Sequence, residues 1–293
     1  MKYWKERRKR YPNPNQYNPN PNPKAHWWES SNVFAGTDSS KRNNDHTSNN
    51  KSIDGTWMGI TKNGRVSFIT NVRQVPDLSK RSRGVLVRDY LLSMESSMEY
   101  TTMLIKDKHL FNGYNLVVSD LLNDNPDGGY YFGNQSGQLS PMPLKKGIIY
   151  GMSNANTLLS KENDSSQWPK VRLGISILKT ILDQFSDDRE KLLDAIMETL
   201  LENSEIPSSL PYNPSADQDS SDSQLPETCL RDCIFVKPHV IPELHPTKVY
   251  GTRTHTVILV DWNNHVTFVE QDSSDSSIKL ENRIWEEFDI DIA

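Results

Sequence analysis

At 293 residues with 35% apolar content, the chain is long enough for one large domain or two modest ones, with a real hydrophobic core. Its net charge of −5 argues against a general DNA- or RNA-binding role, which draws on concentrated lysine and arginine. No apolar run of about eighteen residues exists to span a membrane. The two cysteines, Cys229 and Cys233, fit a reduced compartment, supply no disulfide framework and lack zinc-type spacing.

In chain order, Met1 to Arg10 is basic with no apolar stretch after it, so it reads as a solvated tail and not as a secretory signal. Tyr11 to Pro23 repeats Pro-Asn pairs that offer neither ladder donors nor a packed face, and residues 1–24 are expected to form a disordered arm. Residues 25–293 are expected to form a single α+β domain. Its first hairpin runs from Gly55 to Ile60, turns at Asn63-Gly64 and returns through Val66 to Asn71. A two-residue primed turn there sets Lys62 opposite Arg65 and Thr56 opposite Asn71, which gathers small and polar groups at the open end.

Helices are predicted over 84–94 and 97–105, then strands at 114–119 and around 130–132. Pro169 suits a first helical turn, and Val171, Ile175, Leu178 and Leu182 share one face of a helix ending near Phe185. Asp187 with Glu190 has capping-box spacing for the next helix, whose stripe runs from Leu192 to Leu201. Residues 203–228 form a polar loop insertion, acidic from Asp217 to Asp222, and lead to a strand at Ile234–Val236. A second hairpin pairs Val257–Val260 with Val266–Val269 about Asn263-Asn264. Two blocks of strands separated by helices point to packed layers of antiparallel sheet and helix.

Functional signals are sparse. The seven histidines show no compact ligand spacing, and alternation leaves His255 and His265 free to face either way. Trp57 and Trp168 suit either a core or the wall of an apolar pocket.

The segments Gly55-Thr56-Trp57-Met58-Gly59-Ile60, Thr70-Asn71, Arg83-Gly84, Phe111 to Leu116, Tyr150 to Ala155, Trp168 to Val171 and Tyr250 to Thr256 resemble the transport and Golgi organization 2 family, also called the Asn-Arg-Asp-Glu protein family. The likeness runs from about Trp27 to Phe288. It implies an N-terminal-nucleophile hydrolase-like fold, an αββα sandwich of two antiparallel sheets between helical layers. Members typically begin with Met-Cys on a first strand and close the second with Asn-Arg-Asp-Glu. Here position 2 is Lys2 and no Asn-Arg-Asp-Glu occurs. The arm stands where those strands are expected, so the chain reads as an N-terminally divergent or truncated member that lacks them.

In such hydrolases an N-terminal Cys, Ser or Thr attacks an amide, with its own amine as base. Without that nucleophile the expectation leans against catalysis, and no catalytic residue, metal ligand or obligate cofactor is assigned. By the same resemblance, Asn71 and Asn154 match oxyanion-stabilising positions and Arg253 a strand-end arginine, with Thr56 and Trp57 completing a residual pocket. For Asn71, Asn154 and Arg253 a structural role weighs equally.

The function implied is that of a non-catalytic factor supporting secretory traffic and Golgi organisation through a small lipid-like or haem ligand. It would work in the cytoplasm, peripherally at the Golgi or mitochondria. The alternatives are a cysteine amide hydrolase whose nucleophile is missing from this chain and an interaction scaffold using the acidic loop.

Overall fold

The computed structural model describes residues 32–36, 55–123, 127–156, 158–159, 168–201, 231–236, 239–240, 249–272 and 284–291. The proposed arm, the acidic insertion and the place of the family's first strands lie outside them. Six strands form one antiparallel sheet in chain order: β1 Val33–Ala35, β2 Met58–Thr61, β3 Arg65–Asn71, β4 Tyr114–Asp120, β5 Asp127–Gly133 and β6 Met142–Lys145. Two short pairs follow, β7 Gly151–Met152 with β8 Leu158–Leu159, and β9 His239–Val240 with β10 Val249–Tyr250. A second sheet joins β11 Thr254–Val260, β12 His265–Asp272 and β13 Ile284–Asp289. The helices are α1 Gly84–Leu92, α2 Ser97–Asp107, α3 Pro169–Phe185 and α4 Arg189–Leu201.

Strand alternation decides what each sheet face meets. Ile69, Leu116 and Val118 of the first sheet pack with Leu86, Val87 and Tyr90 of α1 and with Tyr100 and Leu104 of α2. Its other face presents Ile60 and Val66, which meet Val266, Phe268 and Phe288 of the second sheet, with Phe34 and Phe288 stacked at 4.2 Å. The far face of the second sheet gives Val257 and Val269 to Leu193 and Met197 of α4. Helices, sheet, sheet and helices therefore follow one another, and each apolar face is covered by the next layer.

The first hairpin departs from its expected register. Ile60 lies opposite Val66 and Met58 opposite Phe68, whereas the two-residue turn would set them against Ser67 and Ile69. A one-residue slip exchanges faces, and the observed register is the one that matches apolar with apolar. The loop is accordingly three residues, Lys62 to Gly64. Gly64 N–H donates to Thr61 O at 3.0 Å, Gly64 has φ +82°, and the Thr61 hydroxyl accepts from Arg65 N–H at 3.0 Å. Thr56 comes level with Thr70 instead of Asn71.

The second hairpin repeats the device. Asn264 N–H donates to Asp261 O at 3.0 Å, Asn264 has φ +61°, and Asp261 Oδ1 accepts from His265 N–H at 3.0 Å. Both loops thus turn over three residues and end on a left-handed Gly or Asn. Replacing Gly64 by alanine should cost about 1–2 kcal/mol in a denaturant titration. The new methyl is forced to positive φ and stands 3.2 Å from Ile290 Cγ2.

Four further expectations are corrected. Asp188 rather than Asp187 caps α4, its Oδ1 accepting from Lys191 N–H at 3.2 Å. Ile234–Val236 is not a strand; Val236 instead exchanges backbone bonds with Thr252, whose N–H donates to Val236 O and whose hydroxyl accepts from Val236 N–H. The helix expected over 84–94 stops at Leu92, because Ser93 is extended. The next helix runs on to Asp107 from a full capping box between Ser96 and Glu99.

Candidate ligand site

The end of β3 is tied to the loop that follows β7. Asn154 Nδ2 donates to Asn71 O at 2.9 Å, Arg73 N–H donates to Asn154 O at 2.8 Å, and the Thr70 hydroxyl donates to Ser153 O at 2.6 Å. Asn115 on β4 is fully buried and completes the junction. Its amide donates to Ser153 O and Ala155 O, and its Oδ1 accepts from the Tyr131 hydroxyl at 2.8 Å. Short polar side chains thus satisfy the backbone of an irregular segment that would otherwise be buried with open carbonyls.

Of the five pocket residues inferred from sequence, Asn71 and Asn154 are brought together. Asn154 spends its amide on a backbone carbonyl, which is a structural use, while the buried Asn71 Oδ1 accepts no hydrogen bond from the described residues. Thr56 is buried and inward-bonded, its N–H to Gly84 O and its hydroxyl to Met58 O. Trp57 is 40% exposed, whereas Trp168 is core. Arg253 is exposed. Arg253→Ala should therefore leave the melting temperature within about 1 °C of wild type, since exposed charges contribute little to stability.

Sequence reasoning missed the cavity beneath this junction. It has a volume of about 370 Å³ and lies between α3, α4 and residues 149–153, with Ile234 also in its lining. This is within the size range of small-molecule sites. Gly151 lets β7 approach α3, for a Cβ there would stand 2.7 Å from Val171 Cγ1. Gly174 does the opposite. A Cβ added to this helical glycine meets only Ile234 Cδ1, at 3.9 Å, so its missing side chain leaves open space.

The walls are aliphatic, with Ile149, Ile175, Leu178, Ile181 and Leu200 among them. Lys170 is the one charged residue among the described lining groups. Burial pushes its ammonium down to about 8, against a smaller opposing effect of Cys233, and its Nζ lies 5.1 Å from the Trp168 ring centroid. A sequence signal for Lys170 existed in the Trp168-Pro169-Lys170-Val171 segment, yet its place at a helix start reads as solvent-facing.

The histidines resolve into two settings. His255 is buried with its ring 5.7 Å from Phe235, and burial lowers its pKa. His265 is half-buried, with Nδ1 2.7 Å from Asp289 Oδ1 and Nε2 3.7 Å from Glu287 Oε1. Among the described residues no His, Cys, Asp and Glu cluster is placed to hold a metal ion, and no described helix is long and apolar enough to cross a membrane.

Comparison with known proteins accords with the motifs. The family model described as Transport and Golgi organisation 2 matches residues 15–275. The bovine Transport and Golgi organization protein 2 homolog is 34% identical over 225 residues, covering 74% of this chain and 71% of that protein. The mouse homolog is 32% identical over 231 residues, with 75% and 73% covered, and the human one 31% over 240 residues, with 79% and 77% covered. The chain belongs to the Transport and Golgi organisation 2 family.

Proposed function

We propose that this chain supports secretory traffic and Golgi organisation without catalysis, by holding a small lipid-like ligand in the cavity between α3 and α4. In this reading the layered fold is an N-terminal-nucleophile hydrolase-like scaffold put to binding. The observation that carries the proposal is the aliphatic cavity kept open at Gly174. The names of the relatives support the cellular role. The same proposal has the protein working in the cytoplasm, peripherally at Golgi or mitochondrial membranes. Haem fits the lining poorly, because no described lining residue is a histidine and Met152 is the one thioether.

The test is rescue in mouse cells depleted of their own homolog. Wild-type chain should restore secretion of a reporter cargo, and Gly174→Leu, which fills the cavity, should not. Full rescue by the filled variant would overturn the reading.

An amide-hydrolase reading draws on one observation, the buried Asn71 Oδ1 beside Asn154. An oxyanion needs preorganised donors, each worth a few kcal/mol to a transition state, whereas this oxygen accepts and the Asn154 amide is already spent on Asn71 O, and the reading needs a nucleophile as well. With neither Cys229 nor Cys233 in a segment that carries the resemblance, the expected result is no turnover of amide substrates. Turnover that persists after Cys229 and Cys233 are both changed to serine would reinstate the hydrolase.

A further inference from the structure

We propose that the cavity takes an unbranched aliphatic monocarboxylate, its chain between α3 and α4 and its head group at the Lys170 ammonium. The inference rests on the reading of this cavity as a ligand site and names the chemistry it selects. Aliphatic side chains from three directions offer a hydrocarbon chain dispersion contacts and no polar partners along its length.

The polar groups of the wall narrow the head group. The Thr199 hydroxyl donates to Ala195 O at 2.9 Å within its own helix, and the Tyr150 hydroxyl accepts from Lys145 N–H at 3.0 Å. No acidic side chain stands among the described lining residues, so Lys170 faces the cavity without a carboxylate of the wall beside it. One cation matches one negative charge. A dianionic phosphate head would bring a second charge into an apolar wall with nothing to balance it. An uncharged head would leave the ammonium partly desolvated and uncompensated, whereas a carboxylate restores a charge-assisted hydrogen bond.

Lys170 also resists a bland structural account. A lysine at a helix start is on the wrong end of the helix dipole, and burial here disfavours its charged form. The Trp168 ring offers it a cation–π contact at 5.1 Å, which is weaker compensation than an anion.

The experiment is calorimetric titration of the full chain with dodecanoate and with dodecanol, which share a chain and differ in the head. Wild type should bind dodecanoate at least about tenfold more tightly, the scale of one charged hydrogen bond. Lys170→Met should equalise the two ligands, and Gly174→Leu should weaken both while leaving the circular dichroism spectrum unchanged. Equal affinities in wild type, with both weakened by Gly174→Leu, would overturn the head-group assignment and leave the cavity reading standing. Absence of binding by either ligand would overturn both. A carboxylate preference that survives in Lys170→Met would place the selecting charge elsewhere and defeat the proposal.

Discussion

Replacing Arg65 by methionine should lower stability by about 3–4 kcal/mol, enough to shift the melting temperature by roughly 6–12 °C for a domain of this size. Arg65 is 5% exposed, at the first position of β3, where its side chain lies between the sheet and the connection from α1 to α2. Its Nε donates to Tyr90 O at 3.2 Å, and its Nη2 donates to Ser93 Oγ at 3.0 Å and to Glu95 O at 2.7 Å. The guanidinium also lies 4.1 Å from the centroid of the Tyr90 ring, with Nη1 3.8 Å from Asp120 Oδ2.

Methionine keeps much of the volume but strips a donor from the Glu95 carbonyl in the connection to α2, leaves Tyr90 O with its bonds from Ser93 alone, and removes the counter-charge of a buried carboxylate. Each orphaned group costs about 1–3 kcal/mol. Asp120 keeps backbone donors from Leu122 and Asn123, which holds the total below the sum of the parts. Arg65→Lys should recover less than half of the loss, since a single ammonium cannot serve three acceptors along a planar fork. The measurement is equilibrium denaturation of the three proteins. A loss under about 1 kcal/mol for Arg65→Met would show that the helical connection is held by packing alone.

How far the sequence spoke depends on the range of the interaction. Local signals were legible: Pro169 opens α3, and helix α3 ends at Phe185 as its apolar pattern indicates. The stripe of α4 supplies Leu193 and Met197 to a core cluster. The alternation of β11 and β12 also reads correctly, because Val257 and Val269 share one face and Ile258 and Phe268 the other.

Signals that depend on a partner are not local to the sequence. Asn63-Gly64 carries the dipeptide of a two-residue turn. The Thr61 hydroxyl and the pairing of Met58 with Phe68 instead make a three-residue loop the better solution. Val236 lost its strand because its backbone bonds are satisfied by Thr252, a residue whose proximity no local pattern announces. The candidate site follows the same rule. The resemblance points to Asn71 and Asn154, and a hydrogen bond from Asn154 Nδ2 to Asn71 O joins them. The cavity was invisible, being built from Ile149–Ser153, two helices and Ile234, segments separated by long stretches of chain. Gly174 was a faint local clue, a helix-weakening residue within an otherwise strong apolar helix.

The same cavity predicts a mutation that makes the protein more stable. Lys170→Met should raise stability at pH 7 by on the order of 2 kcal/mol, and the gain should vanish near pH 10.5. The sign follows from proton counting. Burial takes the folded-state pKa from the ordinary 10.5 to about 8, so between those values the unfolded chain holds a proton that the folded chain has released. Stability of the wild type therefore rises with pH across this window. Below about pH 8 both states carry the charge and the full cost of burying the ammonium is felt. Above about 10.5 neither carries it and the cost is gone. Methionine fills a similar volume and never titrates, so its advantage tracks that cost and disappears with it. The side chain keeps some contact with solvent, which holds the expected gain below the value that the whole shift would give. Denaturant midpoints of both proteins at pH 7 and at pH 10.5 test this directly. A loss of stability at pH 7, or a gain that persists unchanged to the alkaline end, would mean that the lysine is solvated and that the cavity wall carries no buried charge. A gain that fades with pH would instead mark a residue retained at the expense of stability, as groups kept for binding commonly are.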